Sequence, residues 1–371
     1  MYKILDLVFS LFLCVAWILA QTILLNAQET NRAENNLKIQ IDFQSARAIV
    51  NLMKQNRVSD DELNRVAELK GNQKLIKKIA GNNLNETTET FKKTLRQAIE
   101  NQKIAEDRFD WQSVRKNLPE IQTLTDQIEN NKAAFLADIK RLIQPYTPKD
   151  LKGEVTATFL VGGGSLGFAF DNDPNFYVAL HKIGGDYEGL KYIVAHELYH
   201  SIQELGRRKR LMNQLKAKLP DNIRNGLVIV DNTYLEGTAT LVGDFLDAKN
   251  LKQLGQSLKD EYVKNLDRSR QNFALLETLL FQAYSDPNAD IQQLYNIGFT
   301  TAFDETLYYA GYRMTRAIEK YKGKQTVALL VEKNPLEFFN LYIEIYKAHG
   351  DDSTLIKFNK STEEILLKLQ E

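Results

Sequence analysis

The stretch YIVAHELYHSIQ, Tyr192–Gln203, decides how this chain is read, because it sets His196 and His200 four residues apart around Glu197. The 371 residues contain only 4 histidines, so half of them sit in this one segment. On an α-helix, residues i and i+4 are neighbours on one face. Two imidazoles at that spacing can each direct a nitrogen at a single point about 2.0–2.1 Å away, the reach of a zinc–imidazole bond. Glu197 lies roughly 100° further round the helix, close to such an ion without having to bind it. Leu190, Val194, Leu198 and Ile202 form an apolar stripe opposite the two histidines, as a helix docked on a core requires. Asp186, after Gly184 and Gly185, suits the N-cap, and Gly206 followed by Arg207, Arg208, Lys209 and Arg210 suits the C-terminus.

A catalytic zinc ion usually takes three protein ligands and one water. Gln203 and Gly206 stand where a metzincin would place its glycine and third histidine, which excludes that class. Glu204 lies near the same face, but three ligands from one straight helix would crowd one side of a tetrahedral ion. Glu236 in TYLEGTATLVG is the better candidate. It is followed by Gly237, Thr238, Ala239, Thr240 and Gly243, small residues that let a second helix approach closely, and Asp231 or Asn232 can cap that helix. Asp231 and Asp244 stay open as alternative ligands. The single cysteine, Cys14, lies in the N-terminal apolar run, so the mature chain has no disulfide, thiolate ligand or cysteine nucleophile. Any metal is held by nitrogen and oxygen.

The apolar run Leu7–Ala20, resumed at TILLNA, gives residues 1–27 the character of a secretory signal or a retained membrane anchor, and the expected location is extracytoplasmic. With 48 basic against 48 acidic residues, no net field draws the chain to nucleic acid. Residues 28–148 read as a helical N-terminal region, helical from about Asn36 to Gln144, with a capping box at Ser59–Glu62 and a loop at GNNLNETTET that contains an Asn85 sequon. QPYTPKDLKG breaks that pattern, which places the domain boundary near Lys149. EVTATFLVGGGSLGFAF and NFYVALHKI read as strands, and helices return from Asp186. The expected class is α+β, mostly helical, with a small β-sheet in the domain 149–371. GGGSLG formally matches a dinucleotide fingerprint, but turn and strand follow it instead of a helix. DNDP, Asp171–Pro174, reads as a turn.

In DETLYYAGYRM, Leu307, Ala310, Met314, Ala317 and Ile318 share one helix face and leave Tyr308 and Tyr312 on the other. A phenol near a zinc ion can donate to the oxyanion of a tetrahedral intermediate, and Tyr308 is the first choice. HExxH followed some tens of residues later by Glu236-Gly237-x-Ala239 resembles the gluzincin class of zinc metallopeptidases. With the YYAGY segment and the N-terminal helical region, the chain is similar to a group of exported bacterial zinc-dependent peptidases, over about Tyr192 to Lys320. That resemblance implies a zincin-like catalytic domain, one Zn2+ per chain on His196, His200 and Glu236, Glu197 as general base, and a peptide or protein substrate. Many gluzincins carry an aspartate four residues after the ligand glutamate; here that residue is Thr240, which leaves the support of His196 unassigned. Two other readings remain at this level: an exported metal-binding structural protein without turnover, and a zinc hydrolase of a non-peptide bond.

Overall fold

The computed structural model describes residues 37–81, 86–170, 173–211 and 219–370, with the side chains of 208–211 outside that description. The apolar run at 1–27 and Asn85 lie outside the described residues. Among the described residues, no helix is long and apolar enough to cross a membrane. The described residues within 39–148 and 154–370 form one compact unit.

The architecture is α+β and mostly helical. Among the described residues, one sheet is built from β1 (Leu37–Asp42), β2 (Gly153–Leu160), β3 (Gly167–Ala169) and β4 (Asn175–Ala179), in the order β1-β2-β4-β3. β2 and β4 run parallel, with Ala157 opposite Phe176, and β3 turns back antiparallel on β4, with Phe168 opposite Tyr177. β4 is buried at every position, as expected of an inner strand. β1 corrects the expectation of helix from Asn36 onward. Leu37, Ile39 and Ile41 are buried and alternate with Lys38, Gln40 and Asp42, a period of two that fits a strand, and helix starts only after Phe43. Gly162 and Gly163 take φ of +109° and +93° in the connection from β2 to β3, where Trp111 and Leu75 fill the space a Cβ would need. A strand follows them, so the helix start required by a dinucleotide site is missing.

Before β2 come α1 (Gln44–Met53), α2 (Asp60–Ala67), α3 (Lys70–Ala80), α4 (Thr88–Ile99), α5 (Trp111–Lys116), α6 (Leu118–Asn130) and α7 (Lys132–Ile143). The Ser59–Glu62 capping box forms at the start of α2: Glu62 N–H donates to Ser59 Oγ at 3.2 Å, and Ser59 N–H donates to Glu62 Oε2 at 2.9 Å. α4 begins inside the segment expected as loop, because Thr87 and Thr90 form a second box of the same kind.

After β4 come α8 (Tyr187–Leu211), α9 (Asp221–Val242), α10 (Gln253–Asp267), α11 (Ser269–Ser285), α12 (Ile291–Phe299), α13 (Thr306–Lys322), α14 (Lys324–Leu330), α15 (Pro335–Ala348) and α16 (Lys360–Lys368). Asp186 starts α8 as expected: Oδ1 accepts from Gly189 N–H at 2.8 Å, and Oδ2 accepts from Gly255 N–H at 2.9 Å on α10. The stripe Leu190, Val194, Leu198 and Ile202 is fully buried. α7 packs along α8 through Phe135 against Tyr187 and through an ion pair of 2.9 Å between Asp138 and Lys191.

Two helix ends differ from expectation. α8 runs past Gly206 to Leu211, because that glycine serves a close approach instead of a cap: a Cβ there would lie 2.3 Å from Val331 O. α9 begins at Asp221 after Pro220, ten residues before the expected caps, and Asn232 sits within the helix with Nδ2 donating to Val228 O at 2.8 Å.

Candidate metal centre

Three helices converge because glycines let them. A Cβ on Gly237 of α9 would lie 2.3 Å from the carbonyl carbon of Gly311 on α13, and a Cβ on Gly311 would lie 2.2 Å from Thr233 O. Nothing larger than glycine fits on either side of that crossing. Gly243, at the end of α9, stands where a Cβ would be 2.8 Å from His196 Cβ. The small residues after Glu236 thus bring α9 against α8 on one side and α13 on the other, with Glu236 facing the histidines.

His200 Nε2 lies 3.1 Å from His196 Nε2 and 3.1 Å from Glu236 Oε2, and His196 Nε2 lies 3.5 Å from Glu236 Oε2. A tetrahedral ion with bonds of about 2.0–2.1 Å holds its ligand atoms about 3.3 Å apart, so the triangle fits three ligands of one zinc ion within a few tenths of an ångström. Glu236 Oε2 is buried without a well-aligned hydrogen bond, so its lone pairs are open to a cation. Among the described residues, these three are the group able to hold a metal. The alternatives are engaged elsewhere or stand apart. Glu204 pairs with Arg207 at 2.6 Å, Asp244 accepts from Tyr312 Oη at 2.6 Å and from Leu246 N–H at 2.8 Å, and Asp231 is outside the group.

The electrostatics favour a positive charge at the same point. Burial opposes the imidazolium of His200, but the Glu236 carboxylate outweighs it and lifts the pKa to about 9. Burial likewise opposes the charge on Glu236, and His200 and His196 together hold its carboxyl well below the usual range. Glu197 is pushed up by burial, against the pull of His196 and His200, and makes no hydrogen bond among the described residues.

The Tyr308 ring lies parallel to the His196 imidazole, with centroids 6.2 Å apart and 9° between planes, and its hydroxyl makes no hydrogen bond among the described residues. Tyr312, the other tyrosine of that face, is committed elsewhere. It is 2% exposed, packed edge-on against Tyr262 beside the glycine crossing, with its hydroxyl donated to Asp244.

Three residues near the site carried no sequence signal. Gln203 places Oε1 2.8 Å from His200 Nδ1. Glu305, with φ +50°, has a carboxyl raised to about 7 by burial and then by the charges of Glu261, Glu236 and Glu197. Tyr295 feels Glu236 and packs at a tilt against Phe299, which borders Tyr308. A lone glutamine has no periodicity to betray it, and an acidic pair before a helix reads as ordinary capping.

No match to the chain was found among curated proteins or among solved structures. Residues 63–351 match the model of a family described as "Putative zinc dependent peptidase (DUF5700)". That span holds α8, α9 and α13 with His196, Glu197, His200, Glu236 and Tyr308, and it covers most of the chain; the protein belongs to the family so described.

Proposed function

We propose that the protein is an exported zinc-dependent peptidase of the gluzincin type, with His196, His200 and Glu236 as ligands of one Zn2+ and Glu197 as general base. The observation that carries this reading is the triangle of ligand atoms with sides of 3.1, 3.1 and 3.5 Å. When bound, the ion supplies a Lewis acid that polarises a carbonyl and lowers the pKa of water beside it. Glu197, next to His196 and made a stronger base by burial, takes the proton of the attacking water in its carboxylate form and returns it to the leaving amine as the C–N bond breaks. Tyr308, with an uncommitted hydroxyl, donates to the oxyanion on the substrate carbonyl. β3 is the outer strand next to β4 among the described residues, and its outer edge would offer backbone groups to an extended peptide. Export rests on the apolar run at 1–27. The region 28–148 supports the site through Asp138 on Lys191 and through Tyr146 O, which accepts from Tyr199 Oη at 2.9 Å.

The test is cleavage of a mixed peptide library with and without a chelator. Chelator-sensitive cleavage by the wild type is expected, with a loss of at least about 100-fold in Glu197→Gln at equal zinc occupancy. Matched rates in the two proteins contradict the mechanism. A zinc-loaded wild type with no chelator-sensitive cleavage points instead to a metal-binding protein without turnover.

A further inference from the structure

Gln203 is 2% exposed and lies three residues after His200 on α8. Its carboxamide makes three contacts: Oε1 at 2.8 Å from His200 Nδ1, and Nε2 at 2.9 Å from Leu235 O and 2.7 Å from Thr238 Oγ1. Thr238 decides which way round that carboxamide sits. The threonine hydroxyl donates its one proton to Tyr234 O at 2.8 Å within α9, so toward Gln203 it is an acceptor. Leu235 O can only accept. Both contacts on α9 therefore require the NH2 end of Gln203, and the oxygen is left for His200. An amide oxygen has no proton to give, so Nδ1 must carry one. A neutral imidazole protonated at Nδ1 has its lone pair on Nε2, the atom that faces His196 and Glu236 at 3.1 Å each.

The two histidines are not supported alike. His196 Nδ1 has no hydrogen bond among the described residues, and the hydroxyl of Thr240, one turn beyond Glu236, is buried without a partner. Leu235 and Thr238 flank Glu236 on α9, so the side chain that orients His200 also fixes the helix that carries Glu236. We infer that Gln203 is the positioning residue of the metal centre: it locks His200 in the Nδ1-protonated tautomer, with Nε2 open to the cation, and ties that ring to the helix of Glu236. This rests on the metal-ligand reading given under Proposed function.

The test uses the full chain labelled with 15N-histidine, metal-free, at a pH alkaline enough to leave His200 neutral. The ring nitrogen shifts report which nitrogen bears the proton. Wild type and Thr238→Ser should show His200 protonated at Nδ1. Gln203→Leu and Thr238→Val should show a mixture with the Nε2 tautomer, and their zinc Kd in chelator competition should weaken by about 10- to 100-fold. Thr238→Val perturbs the network from α9, so the result does not hang on the folding of Gln203→Leu alone. Nε2 protonation in the wild type overturns the inference. So does a folded Gln203→Leu or Thr238→Val with an unchanged tautomer, or with an unchanged Kd. A wild type that takes up no zinc overturns the metal reading itself, and is distinguished by the tautomer, which is read without metal.

Discussion

His181 is a buried imidazole on the turn after β4, and His200 is a half-buried one on α8. At His181, Nδ1 accepts from Gly162 N–H at 3.2 Å, while Nε2 faces Gly163 O at 3.1 Å and Asp110 Oδ2 at 3.4 Å. Every polar atom of that ring has a protein partner, and the ring staples the strained glycine connection in place. At His200 only Nδ1 is satisfied, by Gln203, and Nε2 meets another imidazole nitrogen and a carboxylate. The electrostatics diverge accordingly: burial and then Lys182 push His181 down, whereas Glu236 overcomes burial and lifts His200 to about 9. A ring closed by protein partners on both nitrogens fits a structural role, whereas a ring whose Nε2 faces a second imidazole and a carboxylate has the geometry of a candidate cation ligand. Tyr312 and Tyr308, one turn apart, repeat the contrast, the first bonded to Asp244 and the second uncommitted beside His196.

The largest effect that separates the two kinds of site is kinetic. Tyr308→Phe is expected to lower kcat by roughly 10- to 1000-fold with zinc content intact, because a phenol that acts on the oxyanion works mainly in the transition state. Tyr312→Phe should leave the chemistry nearly unchanged and lower stability instead. The reverse ranking would move the oxyanion role by one helical turn.

His181→Ala should cost about 2–4 kcal/mol of folding stability, since it opens a cavity and leaves Gly162 N–H without its acceptor, yet the variant should bind zinc as the wild type does. Loss of zinc from a folded His181→Ala would break the division between structural and cation-holding histidines.

Glu305 gives a smaller, pH-dependent effect in the metal-free protein. Its carboxyl is raised from 4.5 to about 7 in the folded state, so its contribution is most favourable below the ordinary value and is lost as pH rises through 7. Glu305→Gln should therefore match the wild type near pH 4 and exceed its stability above pH 7, by at most about 3 kcal/mol in chemical denaturation. Parallel stability curves across that range would show that the excess of carboxylates around the site does not act on Glu305.

Much of the centre was legible because its signals are local. HELYH and the stripe Leu190, Val194, Leu198 and Ile202 repeat with the period of one helix, and the small residues after Glu236 announce a close helix approach. The partner of that approach, Gly311, was not legible, because nothing in the sequence pairs Gly237 with a residue on α13. Gly206 misled for the same reason: the backbone of Val331 demands a glycine there, and no helix end does. Leu37–Asp42 carried a strand period too short to stand out beside the long helical run that follows. Gln203 and Glu305 acquire their roles from α9 and from Glu261, Glu236 and Glu197, neighbours that exist only once the chain is folded.

Bound zinc per chain in the purified protein, compared across single variants, tests the metal assignment most directly. The expected result is about one zinc in the wild type and in Glu204→Gln, and loss of tight binding in His200→Ala and Glu236→Gln, since three protein ligands define the site. Full zinc content in His200→Ala or Glu236→Gln, or its loss in Glu204→Gln alone, would contradict the assignment.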